Sequence, residues 1–344
     1  MNKISRRQFL RVSAVAGAGA VLAACGGTEA PTEAPTEEAG PAEPTATKPA
    51  PPTPTPKPEA MEPTEVPEEE QVWPREDVPR ERTLVYAFGA QEEPGVGLGS
   101  FYTAVDWHQR GGSAMIEYPF YYVALNDKTY PWLAECFLND AATTEMTLYL
   151  RKGAKWADGE DFTATDVAFT YATLRDSAPD YKDSGMVERY VDTVEAVDDY
   201  TVHFTFKEPN YRFHFTHCTA RFDRGIYIMP KKYFEGVEDW REFTFFDLEA
   251  GWPVYTGPYA LTRMEPQVKH LDLRYEWWAV DTGLVEKMPR VERIVNIGWP
   301  GEEVGGQMLI NDEVDVNLDL RPATIEAILA QTDHVMTFTG TEKP

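Results

Sequence analysis

Cysteine is scarce in this 344-residue chain, which holds only Cys25, Cys136 and Cys218. Three thiols exclude a small fold stapled by several disulfides. Basic charge is also short, with 32 Lys and Arg against 57 Asp and Glu and a net charge of −25. Such an acidic balance argues against nucleic acid or anionic lipid as a partner. Long apolar runs are missing too. The stretch Val12–Ala24 is too short, and too rich in Ala and Gly, to stay in a bilayer as a permanent helix. No G-x-S-x-G elbow occurs, and no other nucleophile–base pairing is legible. The glycines of Pro94–Ser100 have the wrong spacing for a phosphate loop, and no apolar helical stripe follows them.

What the chain does have begins with an address. Ser5-Arg6-Arg7-Gln8-Phe9-Leu10-Arg11 is a twin-arginine motif ahead of the short apolar run, so residues 1–25 read as an export signal. The run ends in Leu22-Ala23-Ala24-Cys25, which resembles a bacterial lipobox. That resemblance implies lipid attachment at Cys25 and a protein held at the outer face of the cytoplasmic membrane or in the periplasm. Residues 26–72 form the next segment. Up to Gln71 it carries twelve of the 27 prolines, and eleven glutamates against two lysines give it −9. Too little apolar surface is available there to offset ordering entropy, so a disordered, polyproline-like tether is expected. Extended at roughly 3 Å per residue, it would reach on the order of 100 Å. The four basic residues of the signal and the −9 of the tether leave −20 on the folded part, residues 73–344. Cys136 and Cys218 can pair outside the cell, but buried free thiols are the expectation.

The folded part is organised around Leu148–Tyr171. Met146, Leu148 and Leu150 alternate with polar neighbours as in a half-buried strand. Lys152-Gly153 and Asp158-Gly159 are turn dipeptides. Thr163 stands as a helix N-cap with Asp166 three residues on, and Ala164, Val167, Tyr171 and Leu174 follow as one apolar stripe. Further strands are predicted over Arg82–Ala87, Tyr121–Leu125, Val291–Ile297 and Val314–Leu320. A hairpin is predicted about Asp198-Asp199, with Val194 and Ala196 facing Val202, Phe204 and Phe206.

The central stretch also resembles the signature of the family-five extracellular solute-binding proteins, which deliver peptides, nickel and some sugars to ABC importers. The matching residues are Leu150, Arg151, Gly153, Lys155, Trp156, Asp158, Gly159, Phe162, Thr163, Ala164, Asp166, Val167, Phe169 and Thr170. Pro131–Glu135, Tyr227–Phe234, Thr256-Gly257-Pro258-Tyr259 and Leu309–Asp315 match further segments of the family pattern. The resemblance covers about Arg82 to Gln331. It implies an α/β two-lobed fold of the periplasmic-binding-protein type II kind, apparently incomplete at the C-terminal end, with the first lobe and the start of the second. Implied partners are a peptide or other small solute, an ABC permease and, through the lipid, the membrane. No cofactor is implied.

For the site, the resemblance points to Gln91 and Glu92, just after the first strand, together with Trp107 and Tyr255. The leucine-aspartate-proline usual in that first loop is absent. Trp156 is expected to be core. His214-Phe215-Thr216-His217-Cys218 invites a metal reading, but no second ligand cluster accompanies it, and ordinary structure is expected. Asp158, Glu160 and Asp161 are explained by solvation and the dipole of the following helix. Two other functions stay open at this point: a non-transport surface lipoprotein serving as sensor or interaction module, and an exported hydrolase.

Overall fold

Among the described residues the alternating stretches build three sheets. A computed structural model describes residues 73–87, 112–221, 225–265, 268–317 and 320–337, all within the unit Glu65–Pro344. The export signal, Cys25 and the whole of the tether lie outside the described residues. The first strands in chain order are β1 (Thr83–Ala87), β2 (Phe120–Val123), β3 (Lys128–Pro131), β4 (Ala134–Asn139) and β5 (Glu145–Leu150). After them come β6 (Val191–Asp198), β7 (Thr201–Phe206), β8 (Thr219–Ala220), β9 (Tyr259–Glu265), β10 (Val268–Leu273), β11 (Arg293–Ile297) and β12 (Val316–Asn317). The helices are α1 (Ala164–Asp176), α2 (Ser184–Tyr190), α3 (Phe213–His217), α4 (Lys231–Phe234), α5 (Trp278–Asp281), α6 (Glu302–Ile310) and α7 (Pro322–Leu329).

The strand orders are β12-β1-β11-β10-β9, β3-β2-β8 and β4-β5-β7-β6. In the last sheet β5 buries Met146, Leu148 and Leu150, as the alternation requires. The hairpin register is the expected one, with Val194 opposite Phe204 and Ala196 opposite Val202. The predicted strand Tyr121–Leu125 sits one to two residues earlier, because the chain turns at Asp127 (φ 52°) and leaves Leu125 exposed. Of the predicted strand Val314–Leu320, Val316–Asn317 is strand. Val314 is buried, and Asp315 is tied to β1: its backbone N–H donates to Val85 O at 2.8 Å, and Arg80 grips its carboxylate at 2.9 and 3.0 Å.

The signature stretch earns its pattern by packing. Gly153 and Gly159 take φ of +84° and +88°, where a Cβ would strain the backbone. Trp156 is 4% exposed and packs on Phe162 at 5.4 Å. Asp166 is a hub: its carboxylate accepts the backbone N–H of Thr163 at 3.0 Å, that of Lys231 at 2.9 Å and the Trp156 indole N–H at 3.3 Å. Burial pushes its carboxyl up, against the pull of those donors. One buried carboxylate thus closes the helix N-terminus, orients the tryptophan and docks the start of α4. Below it, Val167, Tyr171 and Leu174 of α1 are fully buried, and Tyr171 meets Phe204 edge to face at 5.1 Å.

The two ends of the described chain between β1 and β9 meet at Gly257. Its N–H donates to Met115 O at 2.7 Å, and a Cβ there would lie 2.5 Å from that same oxygen. Only glycine fits so close a backbone approach. Cys218 is a free, buried thiol, so it does not pair with Cys136.

Candidate functional site

Three neighbouring strands of the five-stranded sheet run parallel. β1 lies between β11 and β12 and is parallel to both, while α6 connects β11 to β12. Their carboxyl ends, Ala87, Ile297 and Asn317, therefore open on one edge. In α/β sheets the crevice outside such an edge collects the connecting loops, and ligands bind there. Trp299 follows β11 and Asn317 ends β12, so both stand at this edge. Gln91, Glu92 and Trp107 belong to the segment that follows β1 and lie outside the described residues. Tyr255 instead lies in the core, 3% exposed, with its ring 6.2 Å from Phe245 and its carbonyl accepting the Ala157 N–H at 2.9 Å. Burial raises its phenol well above the ordinary value. Beside the edge, a cavity of about 530 Å³ opens among Leu309, Val316, Leu320, Ile325, Ile328 and Met336.

A second polar centre escaped the sequence reading. Glu117 is 6% exposed, yet its carboxylate accepts the indole N–H groups of Trp132 and Trp278, each at 2.8 Å. Burial pushes its carboxyl up to about 7, with the hydrogen bonds from Trp132, Trp278 and Thr256 and the Arg274 charge pulling the other way. A raised folded value means the protonated form is favoured in the native state. The associated stability is full below the unfolded value near 4.5 and is lost as pH rises through about 7. Glu117→Gln is expected to remove roughly 2–3 kcal/mol of the wild-type stability difference between pH 5 and pH 8. Urea denaturation of both proteins at the two pH values checks this, and identical pH slopes would refute it.

The His214–Cys218 run forms α3 and its cap. His214 stacks on Phe137 with ring centroids 3.8 Å apart, and burial lowers both His214 and His217 to about 4. The Cys218 thiol is pushed up to about 12 by burial, the opposite of what a nucleophile needs. Among the described residues, no three of His, Cys, Asp and Glu converge as metal ligands would. The acidic turn has a partner the sequence did not reveal. Lys232 Nζ sits 3.1 Å from Asp158 and 3.2 Å from Glu160, and the Tyr233 hydroxyl donates to Asp158 at 2.7 Å.

Residues 128–342 match the family model of the bacterial extracellular solute-binding proteins, family 5. The chain belongs to that family. Residues 3–23 match the twin-arginine translocation signal, which marks this solute-binding protein for export. Among curated relatives, the probable peptide-binding protein YejA of Agrobacterium fabrum is 26% identical over 192 residues, 54% of this chain and 30% of that protein. The periplasmic alpha-galactoside-binding protein of Rhizobium meliloti is 37% identical over 67 residues, 19% of this chain and 10% of that one. Among solved structures, the mannohexaose-bound periplasmic oligopeptide-binding protein of Thermotoga maritima superposes with a TM-score of 0.58 at 26% identity. That match covers 72% of this chain and 44% of the other. The oligopeptide-binding protein AppA of Bacillus subtilis, in complex with a nonapeptide, gives a TM-score of 0.56 at 18% identity over 72% of this chain and 45% of its own. The α/β fold is that of type II periplasmic binding proteins, and the chain spans less than half the length of these two structures. Family and fold are those of binding proteins rather than enzymes. Among the described residues no helix is long and apolar enough to cross a membrane.

Proposed function

We propose that this solute-binding protein captures an oligopeptide outside the cytoplasm and delivers it to an ABC permease. The observation that carries the reading is the carboxyl edge shared by β1, β11 and β12, on a fold whose relatives include proteins named for peptides. Gln91, Glu92 and Trp107 are the proposed contacts from the segment after β1. An extended peptide held through main-chain hydrogen bonds binds with little regard for its sequence. A ligand touching both walls of a hinged cleft favours the closed state and shifts the population towards it. An oligosaccharide is the second reading, supported by the galactoside-binding relative and the mannohexaose-bound structure. Calorimetry on the protein expressed from its natural gene separates the two. Micromolar binding of a mixed tripeptide library is expected. Binding of oligosaccharides alone would move the assignment to the second reading, and binding of neither would favour a sensor or interaction module.

The lipobox-like Leu22–Cys25 supports a lipid anchor at Cys25, placing the protein at the outer face of the cytoplasmic membrane or in the periplasm. Cys25→Ser is expected to be exported yet released into the soluble fraction. Membrane retention of that variant after a carbonate wash would sink the anchor.

A further inference from the structure

Arginine in this protein usually faces a carboxylate. Among the described residues Arg80, Arg82, Arg241, Arg293 and Arg321 each pair with one, as expected where acids outnumber bases by 57 to 32. Arg212 is different. It is exposed, makes no ion pair among the described residues, and lies over the Phe215 ring with its guanidinium carbon 5.0 Å from the ring centre. Arg221 lies over the same ring at 5.2 Å, steadied by a hydrogen bond from its Nη2 to Thr216 O at 2.9 Å. Each cation gains from the ring's electron-rich face. Gathering two like charges there still costs energy, which a folded part carrying −20 could avoid by pairing Arg212 with an acid.

The neighbours hold this platform in place. Tyr122 of β2 meets Phe215 edge to face at 5.3 Å, and its hydroxyl donates to Asp127 at 2.8 Å, which fixes the phenol. Phe137 of β4 stacks on His214, the residue before Phe215, at 3.8 Å. Burial, with the charges of Arg212 and Arg221 adding to it, lowers His214 and His217 to about 4. At neutral pH α3 therefore places no charge of its own between the two arginines. Tyr211, 62% exposed, precedes Arg212 in the chain. Stacking uses the face of a guanidinium and leaves its N–H edge, which matches a carboxylate in a two-pronged bond.

We propose that the Arg212–Phe215–Arg221 platform is a docking surface for an acidic segment of another polypeptide, which sets carboxylates against the arginines and apolar atoms against Tyr122 and Tyr211. Tyrosine and arginine are the side chains that carry much of the energy of protein–protein contacts. A phospholipid surface is the other source of anions, but it would meet the −20 of the folded part over a broad area. A single segment meets only the charge within a screening length of about 8 Å. The surface needs no bound solute and uses none of the strands of the carboxyl edge, so it goes beyond the solute-capture reading.

The test uses the full chain and a carrier protein bearing Gly-Glu-Tyr-Gly-Glu-Tyr-Glu-Gly in a surface loop, which is too large to enter a solute cleft. The same carrier with glutamine for each glutamate is the control, and phosphatidylglycerol vesicles form a second arm. In biolayer interferometry at low ionic strength, the acidic carrier is expected to bind at least tenfold more tightly than its control. Arg212→Glu is expected to abolish that preference with an unchanged melting temperature, because the side chain is exposed. Arg290→Gln, at an exposed arginine elsewhere, is expected to leave it within twofold. If Arg212→Glu folds badly, Arg212→Gln, which drops only the charge, carries the same expectation. Equal binding of the two carriers, or binding of neither, would overturn the surface. So would an acidic preference that survives both Arg212 variants. Vesicle binding at or above the affinity for the acidic carrier would make the patch a lipid contact and overturn it as well.

Discussion

Trp156→Ala is expected to lower the unfolding free energy by about 3–5 kcal/mol, the usual range for deleting a large buried aromatic. The indole is 4% exposed and packed on Phe162, and its N–H reaches Asp166. Truncation leaves a cavity and removes one of the donors that make a buried carboxylate tolerable. Trp156→Phe keeps most of the volume and loses only the hydrogen bond, so it is expected to cost about 1–2 kcal/mol. Chemical denaturation of the three proteins separates the two contributions. An unchanged midpoint for Trp156→Ala, accompanied by lost ligand binding, would make it a ligand residue.

The second large effect is expected at Asp272→Ala. Asp272 is fully buried and lies opposite Arg293 across β10 and β11. The guanidinium donates to it twice, at 2.6 Å through Nε and 2.9 Å through Nη2. Removing the carboxylate strands a largely buried cation, which typically costs about 3–5 kcal/mol. Asp272→Leu combined with Arg293→Met removes both charges, and is expected to recover most of that loss, because a paired charge and a well-packed apolar pair are often close in energy. Thermal unfolding of the single and double variants decides. A single variant within 1 kcal/mol of wild type, on the order of a surface pair, would show that water reaches the site.

Much of this fold could be read from the chain because the governing interactions are local. Strand β5, the turns at Gly153 and Gly159, the Thr163–Asp166 cap and the Asp198-Asp199 hairpin each depend on residues within a few positions of one another. The edge of the site was legible only in part, as the resemblance led to the segment after β1 but not to what stands beside it. Glu117 could not be found this way. Its partners Trp132, Thr256 and Trp278 come from three separate places in the chain, and a lone acid in an apolar run was the only sign. Lys232 meeting Asp158 is equally non-local. Tyr255 was expected at the ligand, but it is buried beside the Phe245 ring.

The contact of Gly257 with Met115 has a topological meaning. The chain leaves the five-stranded sheet after β1, folds two further sheets, and returns to within one hydrogen bond of where the described part of the excursion began before entering β9. From Met115 to Gly257 its net displacement is close to zero. A detour closed at its neck imposes almost no geometric condition on its host, since β1, β9, β10, β11 and β12 can keep the same positions whatever the length of chain between Met115 and Gly257. Its size and content are therefore free to vary, while the neck, where two backbones touch with no room for a methyl group, is not.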